Sequence, residues 1–233
     1  MACFRKPYTT TSTISFPLPP PTAVAGLISA LLGYSNGSAK RGEAAHYWQK
    51  LKGTRITVQR LNATSWASAG VNFINPKNPQ DNLHIQIRHQ FVRNPHYRIF
   101  VQGGVEAELD EQLRNGRFVF TPYLGVCYAL AEVSYCGSFN FEQALVKNHA
   151  DEVPISSVLP LTNNEEEVQI NYKQSKGLLK DEFPFQMDET RTLIKTITLL
   201  YPTSPQHVIV VKPWSELEIT RYGEQYIAWL PAW

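Results

Sequence analysis

The sequence predicts an α+β fold, and three observations carry that prediction. Apolar residues at 24, 27, 28, 31 and 32 follow helical spacing, and an acidic helical stretch recurs near 106–116. Between them, "TRITVQRLN" (54–62), "LHIQIRHQFV" (83–92) and "HYRIFVQGGV" (96–105) read as strands. After residue 138 the chain changes to an acidic, mostly β character, with strand-like runs at 192–201, 208–212 and 226–230. At 233 residues, 43% of them hydrophobic and 12% aromatic, the chain can bury a substantial core.

The elements follow in order from the first residues. "FRKPYTTTSTISFPLPPPTAVAGLISALLGY" (4–34) opens with two cations and a run of hydroxyls, expected as an extended arm. Prolines at 17, 19, 20 and 21 forbid helix before them, and Thr22 is the expected cap of a helix closed by Gly33 or by Asn36-Gly37. The start of that helix offers free amide groups and a positive dipole end to a phosphate. A tight proline loop packed on a sheet explains the same residues without a ligand. "GEAAHYWQKLKG" (42–53) predicts a second helix with Ala45, Trp48 and Leu51 on one side. Strand 54–62 sets Arg55, Thr57 and Gln59 opposite Ile56, Val58 and Arg60.

Residues 62–82, rich in asparagine and proline turns, predict the tip of a long hairpin leaving the body, with Trp66 near that tip. A short acidic helix starts near Glu106 and stops at Gly116. "RFVFTPYLGVCYALAEVSYCG" (117–137) is extended, kinked at Pro122 and Gly125.

Charge is divided unevenly. Residues 1–105 hold 12 Lys/Arg against 2 acids, and residues 106–233 hold 10 against 18, for a net of +10 and −8 inside a total of +2. The basic half attracts polyanions, and its interleaved rings suit single-stranded nucleic acid. Mutual neutralisation of the halves across an interface is the plainer account. Arg5, Lys6, Arg55, Arg60, Arg88, Arg93 and Arg98 are candidate phosphate cations, and Thr9, Thr10 and Ser12 candidate short donors.

Other chemistries find less support. Cys3, Cys127 and Cys136 form no CxxC pair, and an odd count fits a reducing compartment, so the cytoplasm is expected. His84 and His89 have opposite strand parity, and no metal site or cofactor is expected. Neither GxxxxGK[ST] nor GxGxxG is present. The longest nearly apolar stretch, 23–34, is too short to span a bilayer, so no membrane partner is expected.

The first block, 4–33, closely resembles the signature of CRISPR-associated protein family five, and "FTPYLGVCYALAEVSYCG" (120–137) resembles its second recurrent block. The resemblance covers roughly residues 4–140; the wording "FRKPYTTTS" is most similar to the type I-B branch. It implies an RNA-recognition-motif (ferredoxin-like) domain over 1–140 with a β-hairpin thumb at about 62–82, and a smaller C-terminal β-rich domain over 141–233. It further implies a non-catalytic subunit of the type I Cascade complex in antiviral defence. That subunit holds the 5′ handle of the crRNA and contacts the backbone filament subunit and the large subunit, which reads target DNA. By the same resemblance Arg5, Lys6, Tyr8, Thr9, Thr10 and Thr22 fall on the handle-facing arm and helix start, and Trp66 on the thumb. The family usually carries most of a β-strand before the position of Phe4, where this sequence has Met1–Cys3.

Some relatives cut precursor crRNA without metal, and "HYWQK" (His46, Tyr47, Lys50) with "IRHQ" (Arg88, His89) supplies residue types for that alternative. Solvated helix residues are the favoured account, so no catalytic residue is assigned. An RNA-binding module outside CRISPR is the third reading, disfavoured by the specificity of the first block.

Overall fold

The computed structural model describes residues 1–9, 12–37, 42–74, 80, 83–141, 152–161, 169–212 and 217–233, with only the backbone of Lys212. The opening segment does not run out as an arm. Strand β1 (Phe4–Arg5) turns back onto β2 (Ser15–Phe16), with Phe4 opposite Phe16 and Arg5 opposite Ser15. The reason is burial: Phe4, Phe16 and Leu18 all enter the core, and the Ser15 hydroxyl accepts the Phe4 N–H at 2.8 Å.

Helix α1 (Pro21–Leu32) begins on Pro20, which has φ −56° and ψ 150° and makes no side-chain cap. Thr22 is therefore inside the first turn rather than its cap. Pro21 at the first helical position replaces a capping hydroxyl, because its φ is preset and its missing N–H would have been unpaired there anyway. Gly33 ends the helix at φ +79°, and a Cβ there would lie 2.7 Å from the Val119 side chain.

The expected second helix is a single turn, α2 (Tyr47–Lys50), although Ala45, Trp48 and Leu51 are buried as its pattern implies. The Ala45 N–H donates to the Glu189 carbonyl, so a distant loop holds the chain where helix was expected. Strand β3 (Arg55–Arg60) pairs antiparallel with β6 (Tyr97–Gln102). Its other edge is taken by the C-terminal region, where Val158 and Leu230 donate to the Val58 and Ile56 carbonyls. Five of its six residues are buried, so the expected alternation of exposed and buried positions is lost.

Between these strands rises an antiparallel ribbon of two ten-residue strands, β4 (Ser65–Ile74) and β5 (His84–Arg93), in register from Ser65 opposite Arg93 to Ile74 opposite His84. Helix α3 (Glu106–Arg114) follows where the acidic stretch predicts it, with Gly116 at φ +62°. Residues 117–140 then cross the surface without strand structure, apart from a bridge between Tyr123 and Leu130. Gly125, at φ +86°, sits so close to the Cys3 carbonyl that a Cβ would lie 2.0 Å from its oxygen.

The C-terminal region is β-rich: β7 (Val153–Ile155), β8 (Leu159–Leu161), β9 (Gln169–Ile170), β10 (Leu178–Met187), β11 (Leu193–Pro202), β12 (Val208–Lys212), β13 (Ile219–Tyr222) and β14 (Gln225–Ala228). They form one sheet in the order β10-β11-β8 and another in the order β13-β14-β7-β12-β9. The architecture is α+β, mostly strands. Its largest apolar cluster joins Phe4, Phe16 and Trp48 to Phe183, Phe185, Leu230 and Trp233, so both halves of the chain fill one core.

Candidate nucleic-acid interface

The N-terminal hairpin is sewn to the base of the ribbon through the backbone. The Thr13 N–H donates to the Arg88 carbonyl at 2.9 Å, and the Gln90 N–H to the Thr13 carbonyl at 2.8 Å. Ala2 and Val92 exchange two bonds of 2.9 Å one step further along. This seam brings Arg5, Tyr8, Ser12 and Arg88 onto neighbouring exposed elements, with Tyr8 70% exposed. Arg5 donates one N–H to the Thr9 carbonyl at 2.9 Å, which orients a guanidinium that has five to give.

Lys6 and Thr9, also expected on the arm, turn inward. The Lys6 ammonium is 3.3 Å from an Asp181 carboxylate oxygen and 4.9 Å from the centre of the Phe16 ring. Asp181 also accepts the Tyr201 hydroxyl. Thr9 is buried, and its hydroxyl donates to the Lys6 carbonyl at 2.9 Å, closing the turn. Thr22 is half-buried, and Thr10 lies outside the described residues.

Register divides the ribbon into two unlike faces, because alternate residues point to opposite sides. One face carries Trp66, Ser68, Gly70 and Asn72 beside Gln86, Arg88 and Gln90; the other carries Ala67, Ala69, Val71 and Phe73 beside Ile85, Ile87, His89 and Phe91. Trp66 pairs with Val92 at the base of the ribbon, not near its tip, and is 40% exposed. The Asn-Pro turns expected at the tip (75–79), with 81–82, lie outside the described residues. Along the apolar face the rings of Phe73, His89, Phe91 and Tyr128 follow one another at 5.6, 5.9 and 6.4 Å.

The remaining strand arginines divide likewise. Arg93 is exposed, but Arg55 and Arg60 do not face open solvent, because the C-terminal strands pack across β3. Arg55 pairs with Glu218 at 2.5 Å and lies over the Trp229 ring. Arg60 is 7% exposed, donates to the Pro202 carbonyl at 2.8 Å, and has its pKa lowered by burial. Arg98 donates to Gln59 and faces the Tyr222 ring at 5.5 Å.

The residue types weighed for RNA cleavage are not brought to one face. His46 and Lys50 are exposed, and His46 Nδ1 is 3.6 Å from a Glu189 carboxylate oxygen. Tyr47 packs against Trp48 in the core, where burial raises its pKa. His89 is buried within the ribbon's apolar face. Among the described residues no three His, Cys, Asp or Glu side chains are placed to hold a metal ion, and no helix is long and apolar enough to cross a membrane.

Sequence reasoning missed the exposed aromatic run Phe118, Phe120, Tyr123 and Tyr128, and the partnering of Lys6 by Asp181. The first had a legible signal in the apolar residues massed around Pro122 and Gly125; the second, 175 residues apart, had none.

No curated protein sequence matches the chain. Among solved structures, a chain of a "CRISPR RNA-guided surveillance complex" aligns over 89% of this chain and 87% of its own length, at 13% identity and a TM-score of 0.49. The family described as "CRISPR-associated protein (Cas_Cas5)" matches residues 1–184. The chain, resembling that family in its first block and matching it over more than half its length, belongs to CRISPR-associated protein family five.

Proposed function

We propose that this protein is a non-catalytic subunit of a type I-B-like CRISPR surveillance complex, holding the 5′ handle of the crRNA in the cytoplasm. One observation supports the reading beyond family membership. The backbone seam through Thr13 gathers the exposed Arg5, Tyr8, Ser12 and Arg88, which combine phosphate cations, a stacking ring and a short donor. The order β1–α1–β3–β6–α3 is compatible with an RNA-recognition half over 1–140 and a β-rich remainder. In this reading the ribbon is the thumb that meets the backbone filament, and the large subunit and target DNA lie beyond it.

Arg5→Ala and Arg88→Ala each weaken binding to handle RNA and flatten the plot of log affinity against log salt by roughly 0.7. Unchanged affinity and slope in both variants would remove this face from the site. The non-catalytic assignment rests on Tyr47, which is buried away from the exposed His46 and Lys50. Incubation with repeat RNA and a chelator yields no discrete cut; cleavage at one position, abolished by His46→Ala, makes the protein a processing ribonuclease instead.

A further inference from the structure

The ribbon leaves one edge of its ladder open. At its base the outward backbone groups of β5 are taken, because Thr13 bonds Arg88 and Gln90, and Ala2 bonds Val92. Those groups point away from β4, so the groups of their register partners Gly70, Ser68 and Trp66 point away from β5. Asn72 and Ile74 do the same by alternation. Among the described residues no segment pairs with this outer edge of β4, and every β4 residue is exposed or half-buried.

Another outermost strand of the molecule is guarded, and this one is not. β10, also ten residues long and last in its sheet, carries Lys180, Asp181, Glu182 and Pro184. Its register is irregular between Pro184 and Gln186 and again before Met187. Charges, prolines and bulges of this kind keep an edge strand from pairing with another chain. β4 holds no charged residue and no proline, and its register with β5 is unbroken.

The open edge is complementary to itself. With two copies of β4 antiparallel and Gly70 opposite Gly70, Ser68 falls opposite Asn72 and Trp66 opposite Ile74. On the other face Ala67 meets Phe73 and Ala69 meets Val71, so small side chains face larger ones. Trp66 and Ile74, 40% and 69% exposed, are the large apolar groups on the polar face of β4, and this register covers both. A shift of two residues sets Trp66 opposite Asn72 in one direction and beyond the end of β4 in the other. We infer that free copies of this protein pair through β4 into a two-fold symmetric dimer with a four-stranded antiparallel sheet. Four strands with an apolar face form a stable unit where two are marginal. The pairing uses neither Arg5 nor Arg88 and does not rest on the RNA-binding reading.

The test follows the mass of nuclease-treated full-length protein by sedimentation equilibrium as its concentration is raised. A single strand pair makes a small interface, so the mass is expected to climb gradually from one chain toward two. Ser68→Pro removes an outward N–H and none of the bonds to β5, and abolishes the climb; Ser68→Ala keeps that N–H and retains it. A constant monomer mass, or a Ser68→Pro variant that associates like the parent, overturns the pairing.

Amide hydrogen exchange of the parent decides the matter even where Ser68→Pro disturbs the ribbon. The amides of Ser68, Gly70 and Asn72 are expected to slow as concentration rises, whereas those of Ala67, Ala69 and Val71, bonded to β5, change little. Outward amides that exchange equally fast at every concentration overturn the pairing. Slowing that appears only when another protein is added gives the edge to a foreign strand and overturns it as well.

Discussion

Strand β3 and the β4–β5 ribbon are neighbours in sequence and opposites in setting. β3 is buried on both faces, whereas no side chain described from Ser65 to Arg88 is buried. Each ribbon strand is hydrogen-bonded to the other along its whole length, yet that ladder covers little apolar surface. A two-stranded ribbon alone is marginal in water, so its order depends on its anchored base at Ala2, Thr13 and Val92. The contrast separates two tasks. The body holds the fold through burial shared between the halves of the chain, and the ribbon presents a polar face bearing Arg88 and an apolar face bearing Phe73.

The contrast can be broken most forcefully from the far end of the chain. Trp233 packs edge-on to Trp48 at 6.1 Å and donates its indole N–H to the Phe185 carbonyl at 3.1 Å. Trp233→Ala costs about 3–5 kcal/mol in urea unfolding, and a loss below ~1 kcal/mol would show that the C-terminus does not hold the N-terminal elements.

A smaller effect is expected at the charge seam. Arg55→Ala removes the ion pair with Glu218 and the stem packed near Trp229, costing about 1 kcal/mol. Here the basic and acidic halves neutralise one another, as Lys6 and Asp181 also do. That plainer account of the charge asymmetry therefore holds for part of it. Arg5, Arg88 and Arg93 remain exposed on the other side of the account.

Stability should respond less still to the ribbon itself. Replacing residues 70–88, between the paired Ala69 and His89, with a short Gly-Ser turn shifts the unfolding free energy by no more than ~0.5 kcal/mol. A loss comparable to that of Trp233→Ala would make the ribbon part of the core. Filament joining, measured by co-purification on guide RNA, should fail in the same variant.

The finest probe is alkaline pH. Burial, together with the hydrogen bond and charge of Glu108, raises the Tyr34 pKa to about 12. Since the unfolded phenol titrates near pH ~10, Tyr34 contributes stability that is intact below that pH. The contribution fades as pH rises from there through about 12. Tyr34→Phe removes its share of that slope, measured as chemical unfolding against pH relative to the parent. Tyr97 and Tyr201 titrate unchanged in both proteins, and identical slopes would take Tyr34 out of the linkage.

The sequence by itself determined features whose causes are local. Prolines 19–21 and Gly33 bound helix α1, Gly116 follows α3, and alternation with turn residues marks β5, β6 and β12. The family signature was legible for the same reason, being carried by contiguous residues. Only the tertiary structure decided what lies against those elements. It made a hairpin of the arm, shortened the second helix to one turn, moved Trp66 from the tip to the base of the ribbon, and turned Lys6, Arg55 and Arg60 inward while leaving Arg5 and Arg88 outside. A cation's strand parity is local, but its exposure is set by whichever distant segment covers that face. Asp181, Pro202 and Glu218, the partners of Lys6, Arg60 and Arg55, lie more than a hundred residues away and leave no periodic trace in the chain.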